Sequence, residues 1–219
     1  MKLSCTPSMK LENDSYDWYA RHEEKCREAA KRNHDIVMVG DSITHFWENH
    51  AESWAAFTKG RDVFNLGFGW DRTCNVLCRL QYGEFEGQTP RILILNIGTN
   101  NISSTDHYPG DTPKDAADGI AAVVDVVRAK SPATKLIVMC PFQRGTNAEP
   151  FRAWLRTLAQ CLHAKFDGAG DDNIVLVDIS EKFLRPDGEI DSSLFCGDNC
   201  HPNEKGYAIW REALEPYLA

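Results

Sequence analysis

Five short stretches of almost unbroken apolar character recur along the chain: DIVMVG from 35, DVFNLG from 62, RILILNIG from 91, KLIVMCPF from 135 and NIVLVDI from 173. Strands with one wet face alternate apolar and polar positions, whereas continuous runs suit strands covered on both faces, as in a parallel sheet. Between the runs the periodicity becomes helical. TPKDAADGIAAVVDVVRAK from 112 carries Thr112 and Asp115 as a capping box, Pro113 at the first helical position, and a stripe of Ala116, Ile120, Val123 and Val127. EPFRAWLRTLAQCLHAKF from 149 and NEKGYAIWREALEPYL from 203 repeat the design, the latter with Tyr207, Trp210, Leu214 and Leu218 on one face. Within residues 13–33, Trp18, His22, Cys26 and Ala30 fall four apart, which predicts a leading helix. Alternating strands and helices imply right-handed crossovers and a doubly wound α/β fold, with a ligand crevice beyond the carboxyl ends of the strands.

A length of 219 residues with 42% hydrophobic content suits one domain, a leading segment over 1–33 followed by a core over 34–219. The sequence has no internal repeat, and TNNISSTDHYPGD (99–111) is its one extended loop. A formal charge of -8 argues against a nucleic-acid partner, because that binding rests on neutralising phosphates. The apolar stretches are strand-sized, short of the roughly 20 residues of a membrane span. MKLSCTPSMK at the start lacks the apolar run of a secretory signal, so the compartment stays open: cytoplasmic by default, periplasmic or secreted if a signal has been removed. Eight cysteines do not settle it either.

The candidate chemistry sits where strands end. Ser42 in VGDSITHFW follows the first run, and Asn100 in GTNN follows the third. In isolation each reads as a turn former. Asp198 and His201 in GDNCHPN, three apart before the last helix, add a carboxylate able to orient an imidazole. A strand-end serine, a strand-end asparagine and a late Asp/His pair converge on one edge of the predicted sheet, the ensemble that activates a hydroxyl toward a carbonyl.

The segments GDSIT, NLGFGWDRT, IGTNN and DNCHPN resemble the four blocks of the GDSL-type esterases and lipases, or SGNH hydrolases. Through VLCRLQYGEFEG (76–87) the chain is most similar to the branch that includes the platelet-activating-factor acetylhydrolase catalytic subunits. The resemblance spans residues 17–216. It implies a three-layer, flavodoxin-like α/β/α fold around a five-stranded parallel sheet, with Ser42 as nucleophile, His201 as general base and Asp198 orienting it. Asn100 and the backbone N–H of Ser42 correspond to oxyanion donors. Trp70 stands where the family usually has glycine; its N–H is a further donor and its indole a wall of the acyl pocket, or else the residue only packs.

The resemblance implies a metal-independent acylhydrolase without cofactor, removing small acyl groups such as acetyl from a sugar or lipid alcohol. Lysophospholipase or thioesterase chemistry and a non-catalytic binding protein are the alternatives, and a homodimer is left open. Asp41, Asp71, Arg72 and Asn101 are further candidates for substrate contact. An internal ion pair is the competing explanation for Asp71, Arg72 and Arg144. GFGWDR (67–72) lacks the third glycine and the strand position of a dinucleotide fingerprint. Cys196, Cys200 and His201, with Cys74 and Cys78, form only a weak zinc pattern. A Cys196–Cys200 disulfide is the alternative in an exported protein, and Cys74 and Cys78 read as packing residues. His45 and His50, in what reads as an outer helical turn, are not preferred as the base.

Overall fold

The structure, a computed structural model, describes residues 2–145, 151–168 and 170–218. Each of the five apolar runs forms a strand: β1 Ile36–Gly40, β2 Val63–Gly67, β3 Ile92–Asn96, β4 Lys135–Met139 and β5 Ile174–Val177. All neighbouring pairs are parallel, in the order β2-β1-β3-β4-β5, the doubly wound flavodoxin-like arrangement. Odd and even strand positions enter different cores, which explains the lack of polar alternation. Val37, Val39, Leu93 and Leu95 face one layer, and Ile36, Met38, Ile92 and Ile94 the other.

The first layer contains α4 (Thr73–Gln81), α5 (Pro113–Lys130) and α6 (Phe151–Phe166). The second contains α3 (Ala51–Thr58) and α7 (Glu204–Leu214). Thr112 caps α5 by accepting from the Asp115 N–H, and the stripe from Ala116 to Val127 is buried as its spacing requires. On α7, Tyr207, Trp210 and Leu214 are buried, and Trp47 stacks against both Tyr207 and Trp210. The expected start of α6 at residue 149 lies outside the described residues.

Two expectations need adjustment. The leading helix, α1, runs only from Trp18 to Ala29, and its buried positions are Trp18, Lys25 and Ala29, while Ala30 is exposed. At 100° per residue, position 29 returns to within about 20° of position 18, whereas position 30 has turned away. The segment after Ser42 is not an outer turn either. It forms the short helix α2 (Ser42–His45) and a 3-10 turn (Phe46–Asn49) whose Trp47 is fully buried. Across β2, β1 and β3 the register pairs Gly40 with Gly67 and Asn96, so the three strands end level. The loops carrying Ser42, Trp70 and Asn100 therefore emerge at one edge.

Candidate active site

Gly40 ends β1, and a side chain there would run into Thr44 Oγ1 at 2.1 Å and the Asn96 carbonyl at 2.4 Å. Glycine thus lets α2 start close against the sheet. Asp41 caps that helix, its carboxylate accepting from the Ile43 N–H at 2.9 Å, and Ser42 becomes the first helical residue. Burial pushes the Asp41 carboxyl up to about 7, against the Ile43 hydrogen bond and the charge of Arg144.

Asp198 and His201 come from the loop before α7. Asn199 turns this loop with φ 52°, the Cys196 N–H donates to the His201 carbonyl, and Asn203 caps α7 through the N–H groups of Lys205 and Gly206. One Asp198 oxygen accepts from the backbone N–H of both Cys200 and His201, and the other lies 2.6 Å from His201 Nδ1. Burial acts to raise the Asp198 carboxyl, but these bonds outweigh it and hold the group below its ordinary value. His201 Nε2 lies 2.8 Å from Ser42 Oγ across 159 positions of sequence.

Asn100 donates from Nδ2 to the Asp71 carbonyl at 3.1 Å, which orients its amide. Trp70 adopts φ 61°, a left-handed conformation unusual for a bulky side chain, and is 42% exposed. Ser42, Trp70, Asn100 and His201 all line a cavity of about 170 Å³. Asp14, Phe46, Ser103, Arg144 and Cys200 complete its wall. Sequence reasoning had not placed Asp14, Phe46, Ser103 or Cys200 in this wall. Phe46 lies one helical turn beyond Ser42 and Cys200 next to His201, so local spacing could have found those two. Nothing local points to Asp14.

The other candidates for substrate contact lie behind the wall rather than in it. Asp41 is the helix cap. Asp71 accepts from Trp18 Nε1 at 2.8 Å and Arg79 Nε at 2.7 Å, and Arg79 also pairs with Glu84. Burial raises Asp71 to about 6 in spite of Arg79. Arg72 pairs with Glu12 at 2.8 Å and donates to the Asn100 carbonyl at 3.1 Å. Asn101 accepts from the Thr73 N–H at 3.0 Å, satisfying a donor at the start of α4 that the helix itself leaves open. The ion-pair explanation thus fits Asp71 and Arg72. Arg144 is held instead by neutral groups, the Thr99 hydroxyl at 2.5 Å and the Ser103 hydroxyl at 3.1 Å, with its guanidinium over the Phe151 ring.

His45 is disqualified as a base by burial, which pushes its pKa down to about 3 with help from Arg21, Lys25 and Arg79, and its Nδ1 accepts from the Gly69 N–H. His50 contacts Cys196 and Glu204. All eight cysteines are free thiols, so Cys196 and Cys200 are not bridged, and Cys74 and Cys78 are buried on α4. Among the described residues no helix is long and apolar enough to cross a membrane.

One family profile matches residues 38–209, from β1 through most of α7, and it describes the GDSL-like lipase/acylhydrolases. The chain belongs to that family. It is therefore a carboxylic ester hydrolase of the GDSL type. The chain is 29% identical over 192 residues to the platelet-activating factor acetylhydrolase IB subunit alpha2 of Homo sapiens, covering 87% of this chain and 79% of that protein. Similarity to the alpha1 subunit of Homo sapiens is 28% over 213 residues, covering 97% and 87%. A GDSL-like lipase from Bacteroides thetaiotaomicron superposes with a TM-score of 0.69 at 17% identity, over 91% of this chain and 98% of that one. An acetyl xylan esterase superposes with a TM-score of 0.68 at 16% identity, over 84% and 99%. These two share the GDSL-family fold.

Proposed function

We propose that this GDSL acylhydrolase removes small acyl groups, acetyl above all, from a carbohydrate or lipid alcohol through Ser42, His201 and Asp198. His201 Nε2 takes the hydroxyl proton as Ser42 Oγ adds to the ester carbonyl. The tetrahedral intermediate collapses, the alcohol leaves with that proton, and water hydrolyses the acyl-enzyme by the same route. Asp198, an ionised acceptor, holds the Nδ1 proton and so keeps Nε2 directed at Ser42. The N–H groups of Ser42, Trp70 and Asn100 Nδ2 surround the developing oxyanion.

The observation that carries this reading is the imidazole of His201 bonded to Ser42 at 2.8 Å and to Asp198 at 2.6 Å. The small acyl group is supported by the cavity, which at about 170 Å³ is below the roughly 300 Å³ of common ligand pockets, and by the Trp70 side chain in its wall. The acetylhydrolase and acetyl xylan esterase relatives point the same way. The former is an acetylhydrolase of platelet-activating factor and the latter an esterase of acetyl xylan, a sugar ester.

A substrate panel of acetylated sugars, acetylated lipids, lysophospholipids and acyl thioesters separates these, with acetyl esters expected to lead. Wild-type protein should react with a fluorophosphonate probe at Ser42. Ser42→Ala should lose both labelling and p-nitrophenyl acetate turnover while keeping its circular dichroism. Undiminished turnover by that folded variant would falsify the mechanism.

A further inference from the structure

Cys140 follows β4, Asp178 follows β5 and His163 lies on the last turns of α6, and none of the three lines the cavity that holds Ser42. Their donor atoms lie within 4.8 Å of one another, the only such cluster of three among the described residues. His163 Nε2 is 3.4 Å from Asp178 Oδ2. The other ring nitrogen, Nδ1, lies 2.8 Å from Asp167 Oδ2, one helical turn along. A carboxylate on the far nitrogen of a histidine is the arrangement that fixes ring orientation and tautomer in metal sites.

We propose that Cys140 Sγ, His163 Nε2 and an Asp178 carboxylate oxygen form a Zn²⁺ site, with Asp167 orienting the histidine. Donors around a tetrahedral zinc ion are spaced roughly 3.3 to 3.8 Å apart, as bonds of about 2.0 to 2.3 Å require. The His163–Asp178 separation already meets that spacing, and every other pair closes by at most about 1 Å. A thiolate, an imidazole and a carboxylate select Zn²⁺ over Ca²⁺ or Mg²⁺, which require oxygen ligands. Cys140 forms the buried floor, and His163 and Asp178 keep partial exposure on the solvent side, which gives the ion a path in and leaves its fourth position to water. The neutral imidazole binds through the Nε2 lone pair with Nδ1–H toward Asp167, and binding displaces the Cys140 thiol proton, which is released to solvent. The ion would join the ends of β4 and β5 to α6, just before the segment that leads to Arg144.

The site is independent of the esterase reading. The test is titration of the full-length, metal-stripped protein with Co²⁺, followed by zinc competition against a chromophoric chelator. Wild-type protein should show one equivalent with a thiolate-to-cobalt charge-transfer band, and zinc should raise its melting temperature. Cys140→Ser should lose the band, and His163→Gln, a partly exposed position that leaves the core intact, should weaken zinc by at least roughly tenfold. Asp167→Asn should weaken it while the band remains. A wild-type protein without the band, or a His163→Gln variant that binds zinc as tightly as wild type, would overturn the proposal.

Discussion

Asn100 uses one amide proton on the Asp71 carbonyl, which leaves the second N–H for an oxygen in the cavity. Removing that donor should cost roughly 3 to 4 kcal/mol of transition-state stabilisation, so Asn100→Ala is expected to lower kcat about a hundredfold to a thousandfold with little change in KM. Steady-state kinetics on p-nitrophenyl acetate measure this, and a KM effect alone would assign Asn100 to ground-state binding. Trp70 stands where the resemblance implies glycine, and its conformation has a backbone cost. At φ 61° a side chain is strained by about 1 to 2 kcal/mol, the reason glycine suits the position. Glycine recovers that strain but gives back about 0.5 to 1 kcal/mol of chain entropy. Trp70→Gly should, by opening the acyl wall, raise kcat/KM for butyrate relative to acetate. An unchanged chain-length preference would return Trp70 to a purely packing role.

At the level of elements, the junction of β1 and α2 concentrates the constraints: a glycine that admits the helix, an acidic cap and the serine that the cap presents. Asp41 makes this junction sensitive to pH. An unfolded chain gives up the carboxyl proton near 3.8, whereas burial holds it in the fold to about 7. Between those values the folded state binds more protons, so stability falls as pH rises, by about 4 kcal/mol at most, and levels off above 7. Asparagine keeps the capping oxygen without the ionisation. Asp41→Asn should gain stability over wild type at pH 8 but not at pH 4 in urea melts, and an equal difference at both pH values would refute a buried titrating carboxyl. The same helices show what periodicity can and cannot report. The stripe of α5 was legible residue by residue, because one face meets one core. The buried face of α1 was misplaced by one position, because it sets the Lys25 ammonium over the Phe64 ring and Trp18 edge-on to Phe68 rather than presenting an aliphatic stripe.

On the scale of the whole molecule, a buried ionic network backs the cleft. Asp71 and Glu84 share Arg79, whose guanidinium lies 3.9 Å from the Phe68 ring centroid, and Trp18 of α1 donates to the same Asp71. This joins α1, the loop after β2 and α4 behind Trp70 and Asn100. Arg79→Met removes the cation shared by two buried carboxylates, leaving Asp71 the Trp18 N–H and Glu84 its His22 contact, and should destabilise the fold by about 3 to 5 kcal/mol, read from chemical unfolding; a loss under 1 kcal/mol would mean that the network relaxes into solvent. Arg79 lies in VLCRLQYGEFEG, but its role is not legible along the chain, since its pairing with Asp71 and Glu84 in the core shows only in the folded protein. The sequence by itself determined the sheet, because continuous apolar runs leave a strand no wet face, and it marked Ser42, Asn100, Asp198 and His201 by their places at strand and helix ends. Only the tertiary structure decided which polar groups face the cavity and which stand behind it. Asp71, Arg72 and Asn101 look like site residues in one dimension, yet burial obliges each to satisfy its charge or hydrogen bonds within the protein, while Asp14, Phe46, Ser103 and Cys200 reach the cavity wall because four separate loops meet at the level ends of three strands.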